Sequence, residues 1–71
     1  MDYRNVRINL TACRVNAEKT QKEWAEMIGV SPSTVLNWEA KKSAPDAIQL
    51  RKISEFSGIP MDFIFVSDEY D

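Results

Sequence analysis

Histidine is missing from this chain of 71 residues, and Cys13 is its single cysteine. Those two facts exclude a disulfide framework, zinc sites built on thiolate and imidazole, and any nucleophile activated by an imidazole base. Glycine occurs only twice and proline three times, so an ordered, helix-rich domain is expected except at the ends. No apolar run approaches the roughly 20 residues that a membrane-spanning helix requires. The opening stretch carries Asp2, Asn5 and Asn9 where a secretory leader would be uniformly apolar. The expectation is a cytoplasmic protein with no metal, no cofactor and no membrane partner. A basic excess is lacking too: the net charge is −2, which weighs against a polyanionic partner. The charge is unevenly spread, however, with seven Lys or Arg against five Asp or Glu in residues 1–42, and two against six in residues 43–71. A molecule with one basic end can still face phosphates.

What is present is a string of helix signals within a chain long enough for one small domain. Val6, Leu10, Cys13 and Ala17 recur at spacings of four, three and four, which predicts a first amphipathic helix over residues 4–17. Thr20 and Glu23 have the spacing of a capping box, so a second helix is expected to start there and to end at Gly29, where a left-handed residue is needed. Ser31 followed by Pro32 opens a third helix almost at once, with Val35 and Trp38 as its inward side. Asp46 and Gln49 can cap a fourth helix that Gly58 closes, with Leu50, Ile53 and Phe56 as candidates to face inward. Pro60 is expected to open a last helical turn over residues 61–66. Residues 1–66 read as one domain and residues 67–71 as an acidic, flexible tail.

The informative stretch runs from Gln21 to Ala40. Two short helices are joined there by a turn too tight for antiparallel packing, so they must cross steeply, in a helix-turn-helix. That geometry needs a small residue at Ala25, positive φ at Gly29, and apolar filling from Trp24, Ile28, Val35 and Trp38. The segment TQKEWAEMIGVSPSTVLNWEAKKSAP resembles the phage repressor and Cro (XRE-type) helix-turn-helix family. The likeness extends through Leu10, Cys13 and Arg14 at one end and through Leu50, Ile53 and Gly58 to Asp62 at the other.

The resemblance implies an all-α, compact five-helix lambda-repressor-like domain with the helix-turn-helix at helices two and three. It also implies a non-enzymatic regulator that binds double-stranded operator DNA as a homodimer. Residue by residue it gives Ser33, Thr34 and Asn37 the reading of base edges. Gln21, Lys22, Ser31, Lys41 and Lys42 take phosphate contacts, and Arg14 with Glu39 an ion pair between helices one and three. An antitoxin-type or other protein-interaction module of the same fold is the alternative, and the acidic balance suits a basic protein partner. An enzyme is disfavoured because Glu18, Glu23, Glu26 and Glu39 all have structural explanations.

Several positions depart from the family pattern. Glu18 and Lys41 stand where glycine usually ends a helix, and Ser54 and Ser57 stand where apolar residues are usual. Phe56 and Ile48 replace polar ones, which leaves open a rotated fourth helix or an exposed interface. Trp24 and Trp38 are read as core rather than as stacking platforms, and Cys13 as a buried structural thiol. Phe63, with Met61 and Pro60, is read as a dimer interface, with closure of the small core as the equal alternative for Phe63.

Overall fold

A computed structural model describes residues 7–66. The elements run β1 (Ile8–Asn9), α1 (Leu10–Asn16), α2 (Gln21–Ile28), α3 (Pro32–Glu39), α4 (Ala47–Ser57), a 3-10 turn (Met61–Phe63) and β2 (Ile64–Phe65). Among the described residues no helix is long and apolar enough to cross a membrane. The expected acidic tail over 67–71, and Val6 in the first apolar stripe, lie outside the described residues.

Local chemistry accounts for the three later helix starts. The Thr20 hydroxyl accepts from the Glu23 amide at 3.1 Å while the Thr20 amide donates to the Glu23 carboxylate at 2.9 Å. Asp46 and Gln49 repeat the reciprocal pair at 2.8 Å in both directions. Ser31 accepts from the Thr34 amide at 3.2 Å, with Pro32 in the first turn of α3. Each cap satisfies an amide that has no partner inside its own helix.

Two expectations are corrected at the ends of the fold. Helix one does not span 4–17. It starts at Leu10, because the Asn9 side chain caps it by accepting from the Ala12 amide at 2.7 Å, and Asn9 itself is extended. The last segment is not helical over 61–66 either: one 3-10 turn covers Met61–Phe63 and the chain then straightens, with Ile64 at ψ 122°. β1 and β2 pair in parallel, Ile8 opposite Ile64 and Asn9 opposite Phe65. The described residues therefore hold four α-helices and a two-stranded sheet, not five helices.

The core is Leu10, Cys13, Trp24, Ala25, Ile28, Val35, Trp38 and Ile53, with Ile8, Ala17, Val30, Leu50, Ile59, Ile64 and Val66 half-buried around it. Helix α4 is not rotated: Ile53 and Ser57 face inward, while Ile48 is 70% and Phe56 40% exposed. The Phe56 ring meets that of Trp24 nearly edge-on at 6.4 Å between centroids. Serine is tolerated at the buried position because its polar groups are satisfied. Ser57 Oγ accepts from the Ile59 amide and donates to the Ser54 carbonyl, and the Asn16 amide donates to the Ser57 carbonyl at 2.8 Å.

The glycine-poor turns are made by strained residues. Glu18 and Lys41 adopt φ of 58° and 62°, and their successors close the helix ends: the Lys19 amide reaches the Arg14 carbonyl at 3.3 Å and the Lys42 amide the Asn37 carbonyl at 2.9 Å. These are the six-to-one bonds of a Schellman ending, made without the glycine that usually supplies it.

Candidate nucleic-acid interface

Helices α2 and α3 meet through Gly29, Val30 and Ser31. Gly29 takes φ 91°, a left-handed conformation, and its amide and that of Val30 both donate to the Ala25 carbonyl, at 2.8 and 2.9 Å. The chain thus reverses within three residues, and Trp24, Ala25, Ile28, Val35 and Trp38 fill the angle, all of them buried. Lys52 on α4 steadies the corner by donating from Nζ to the Ile28 carbonyl at 3.1 Å, a cation set against a helix C-terminus.

Burial of Val35 and Trp38 fixes the rotation of α3 and so decides which side chains point outward. Ser33, Leu36, Asn37 and Ala40 are exposed. They fall at intervals of three, one and three, a single stripe along the helix. Thr34 lies at the edge of that stripe. It is half-buried, and its hydroxyl sits 2.9 Å from Ser31 Oγ. Sequence reasoning passed over Leu36, although its spacing from Ser33 and Ala40 placed it on the outer face.

A polar brace sets the position of α3. Arg14 Nε donates to Glu39 Oε2 at 2.7 Å and Arg14 Nη2 to Oε1 at 3.1 Å, a bidentate pair, while Arg14 Nη1 donates to the Lys19 carbonyl at 2.9 Å. Gln21 Nε2 adds a bond to Glu39 Oε1 at 3.0 Å. The Glu39 side chain is only 8% exposed and that of Arg14 17%, so the pair sits mostly out of water. Hydrogen bonding to Glu39 pushes the Arg14 guanidinium above its ordinary value, against the opposing effect of burial. No side-chain signal in the sequence points to the Lys19 carbonyl as a third anchor, since any residue supplies one.

The other candidates sit around this frame. Lys22, Ser31, Lys41 and Lys42 are exposed. Gln21 is half-buried at the start of α2, with one amide hydrogen committed to Glu39. In the segment that follows α4, Pro60 and Met61 are exposed and Phe63 is half-buried. Arg7 stacks over the Phe65 ring, its guanidinium carbon 5.0 Å from the centroid. Cys13 is fully buried and burial pushes its thiol up, the behaviour of an inert core thiol. Among the described residues no group of His, Cys, Asp or Glu is arranged to hold a metal ion.

The helix-turn-helix family model matches residues 10–64, from the first residue of α1 into β2. No curated protein and no solved structure matches the chain. The match covers the corner, the brace and the core together, and the chain belongs to the Cro/C1-like (XRE-type) helix-turn-helix family of DNA-binding regulators.

Proposed function

We propose that this chain is a sequence-specific transcriptional regulator, of repressor or Cro type, that binds operator DNA as a homodimer with α3 in the major groove. The observation that carries the reading is the exposed stripe of α3, held at a fixed angle by the Arg14, Glu39 and Gln21 brace. A short helix whose outward flank carries Ser33 and Asn37 suits a groove wide enough to admit it.

In this reading Ser33 and Asn37 meet base edges, and Thr34 contributes from the margin. Asn37 is the principal reader, because a side-chain amide pairs in bidentate fashion with adenine N6 and N7. Gln21 keeps a second amide hydrogen for a phosphate oxygen, beside the first amides of α2, which lack helical partners. Ser31, Lys22, Lys41 and Lys42 add phosphate contacts, so affinity falls steeply with salt. Met61, Pro60 and Phe63 form the dimer contact.

Selection of bound sequences from a random duplex pool tests this directly. The expected result is an enriched palindrome whose half-sites lie about 34 to 36 Å apart. Asn37→Ala should cost about 1 to 3 kcal/mol in binding and relax preference at one base pair. A pool without enrichment overturns DNA reading, and an enriched single half-site overturns the dimer. The acidic balance of residues 43–71 favours one other reading, a module that binds a basic protein. Capture of such a protein in place of any DNA would establish that alternative.

A further inference from the structure

We infer that Leu36 is a specificity-determining residue that reads the C5-methyl group of a thymine in the major groove. The inference rests on the DNA-reading function proposed above and deepens it, since the polar readers account for only part of the outward face of α3.

Leu36 is 52% exposed, so the free protein presents a branched apolar side chain on the outer face of α3. It follows Ser33 by one helical turn, precedes Asn37 directly, and is followed by Ala40 one turn later, all exposed. Residues three and four apart on a helix are surface neighbours. Ser33 is such a neighbour of both Leu36 and Asn37, so an element that lays Ser33 and Asn37 along base edges carries the Leu36 isopropyl group into the same stretch of groove. The packing partners of α3 lie on its opposite side, where Val35 and Trp38 are 1% and 4% exposed, so rotation into the core is not open to Leu36 without expelling one of them.

The major groove offers one apolar group to meet such a side chain. Thymine alone among the four bases carries a methyl there, cytosine has only a hydrogen at the same position, and the remaining groups that distinguish the bases are hydrogen-bond donors or acceptors that an isobutyl group would desolvate without replacing. Leu36 thus discriminates in both directions: it gains area against a methyl and penalises a bare polar edge. Ala40, small and exposed on the same stripe, extends the apolar strip without blocking approach.

The test uses the full-length protein and the best duplex from the random-pool selection. Each thymine is replaced in turn by deoxyuridine, which pairs identically and lacks only the methyl. One replacement in each half-site is expected to weaken wild-type binding about fourfold, the value of one buried methyl, and to leave Leu36→Ala binding unchanged. Placing 5-methylcytosine against Leu36 should recover part of the affinity that unmethylated cytosine loses there. Equal uridine penalties in wild type and Leu36→Ala, or none in wild type, overturn the inference. The wild-type series does not depend on the variant folding, and thermal melting of Leu36→Ala checks that it does. A pool that enriches no duplex overturns the DNA reading itself. A selected site that is insensitive to uridine overturns only the role of Leu36.

Discussion

Arg14 serves two neighbours at once, the carboxylate of Glu39 and the carbonyl of Lys19, and this governs what its removal does. The attraction within a mostly buried pair is largely offset by the desolvation of both charges, so the pair adds little net stability. Truncation is a different matter, because it leaves Glu39 in an 8% exposed position with Gln21 as its remaining side-chain donor. Arg14→Ala is expected to lose about 3 kcal/mol in denaturant unfolding, the low end for a broken buried pair because Arg14 itself keeps some contact with water. A loss below about 1 kcal/mol would assign the pair to the surface class.

The same residue scale explains how an unusual fourth helix survives: Ser54 Oγ donates to the Ile59 carbonyl at 2.7 Å and Ser57 is bonded on both sides. Polar side chains replace apolar ones there by finishing the helix end.

At the scale of the elements, the endings of α1 and α3 carry stored strain. Glu18 and Lys41 hold the left-handed conformation that glycine adopts freely. Glu18→Gly and Lys41→Gly are each expected to raise stability by about 1 kcal/mol in urea unfolding. A loss at either site would mean that its side chain makes a compensating contact.

The start of α2 responds to acid. Glu23 is held below the ordinary carboxylate value of 4.5, chiefly by the hydrogen bond from the Thr20 amide. A depressed carboxylate adds stability that is complete above that ordinary value and is lost as pH falls through the lower folded one. The melting temperature of wild type should therefore fall more in acid than that of Glu23→Gln, whose amide oxygen still accepts the Thr20 bond but does not titrate. Parallel acid curves for the two proteins would remove the box from the explanation.

Helices α2, α3 and α4 were legible in the sequence because their starts and stops are local: Thr20 with Glu23, Ser31 with Pro32, Asp46 with Gln49, and the two glycines. The apolar stripe of the first helix was legible as a face but not as a length. A spacing of four between Val6 and Leu10 continues a pattern without showing where Asn9 interrupts it. The β1 and β2 pairing left no trace, since two-residue strands show no alternation and Ile8 meets Ile64 across nearly the whole chain. The outward stripe of α3 was half read, its polar members being recognised by their chemistry while Leu36 carried no such mark.

For the whole molecule, the sheet packs Ile8 and Ile64 against the small core, and in the proposed reading function depends on a second copy. With a net charge of −2, a monomer has little general attraction for a polyanion, and the proposed pair of copies on one duplex would double the phosphate contacts of one. Wild type is expected to sediment as a dimer on its operator, and Phe63→Ala to weaken that assembly. If both sediment as the same monomer with and without operator, the proposed contact at Pro60, Met61 and Phe63 is wrong.

Glu39 is gripped from α1 and α2 together, like the apex of a tripod. A helix held in this way has little freedom to swivel, so in the proposed docking any misfit would be absorbed by the double helix instead. On that proposal, operators whose untouched central steps are pliable, the TA and CA steps above all, are expected to be favoured over stiff ones carrying the same contacted bases.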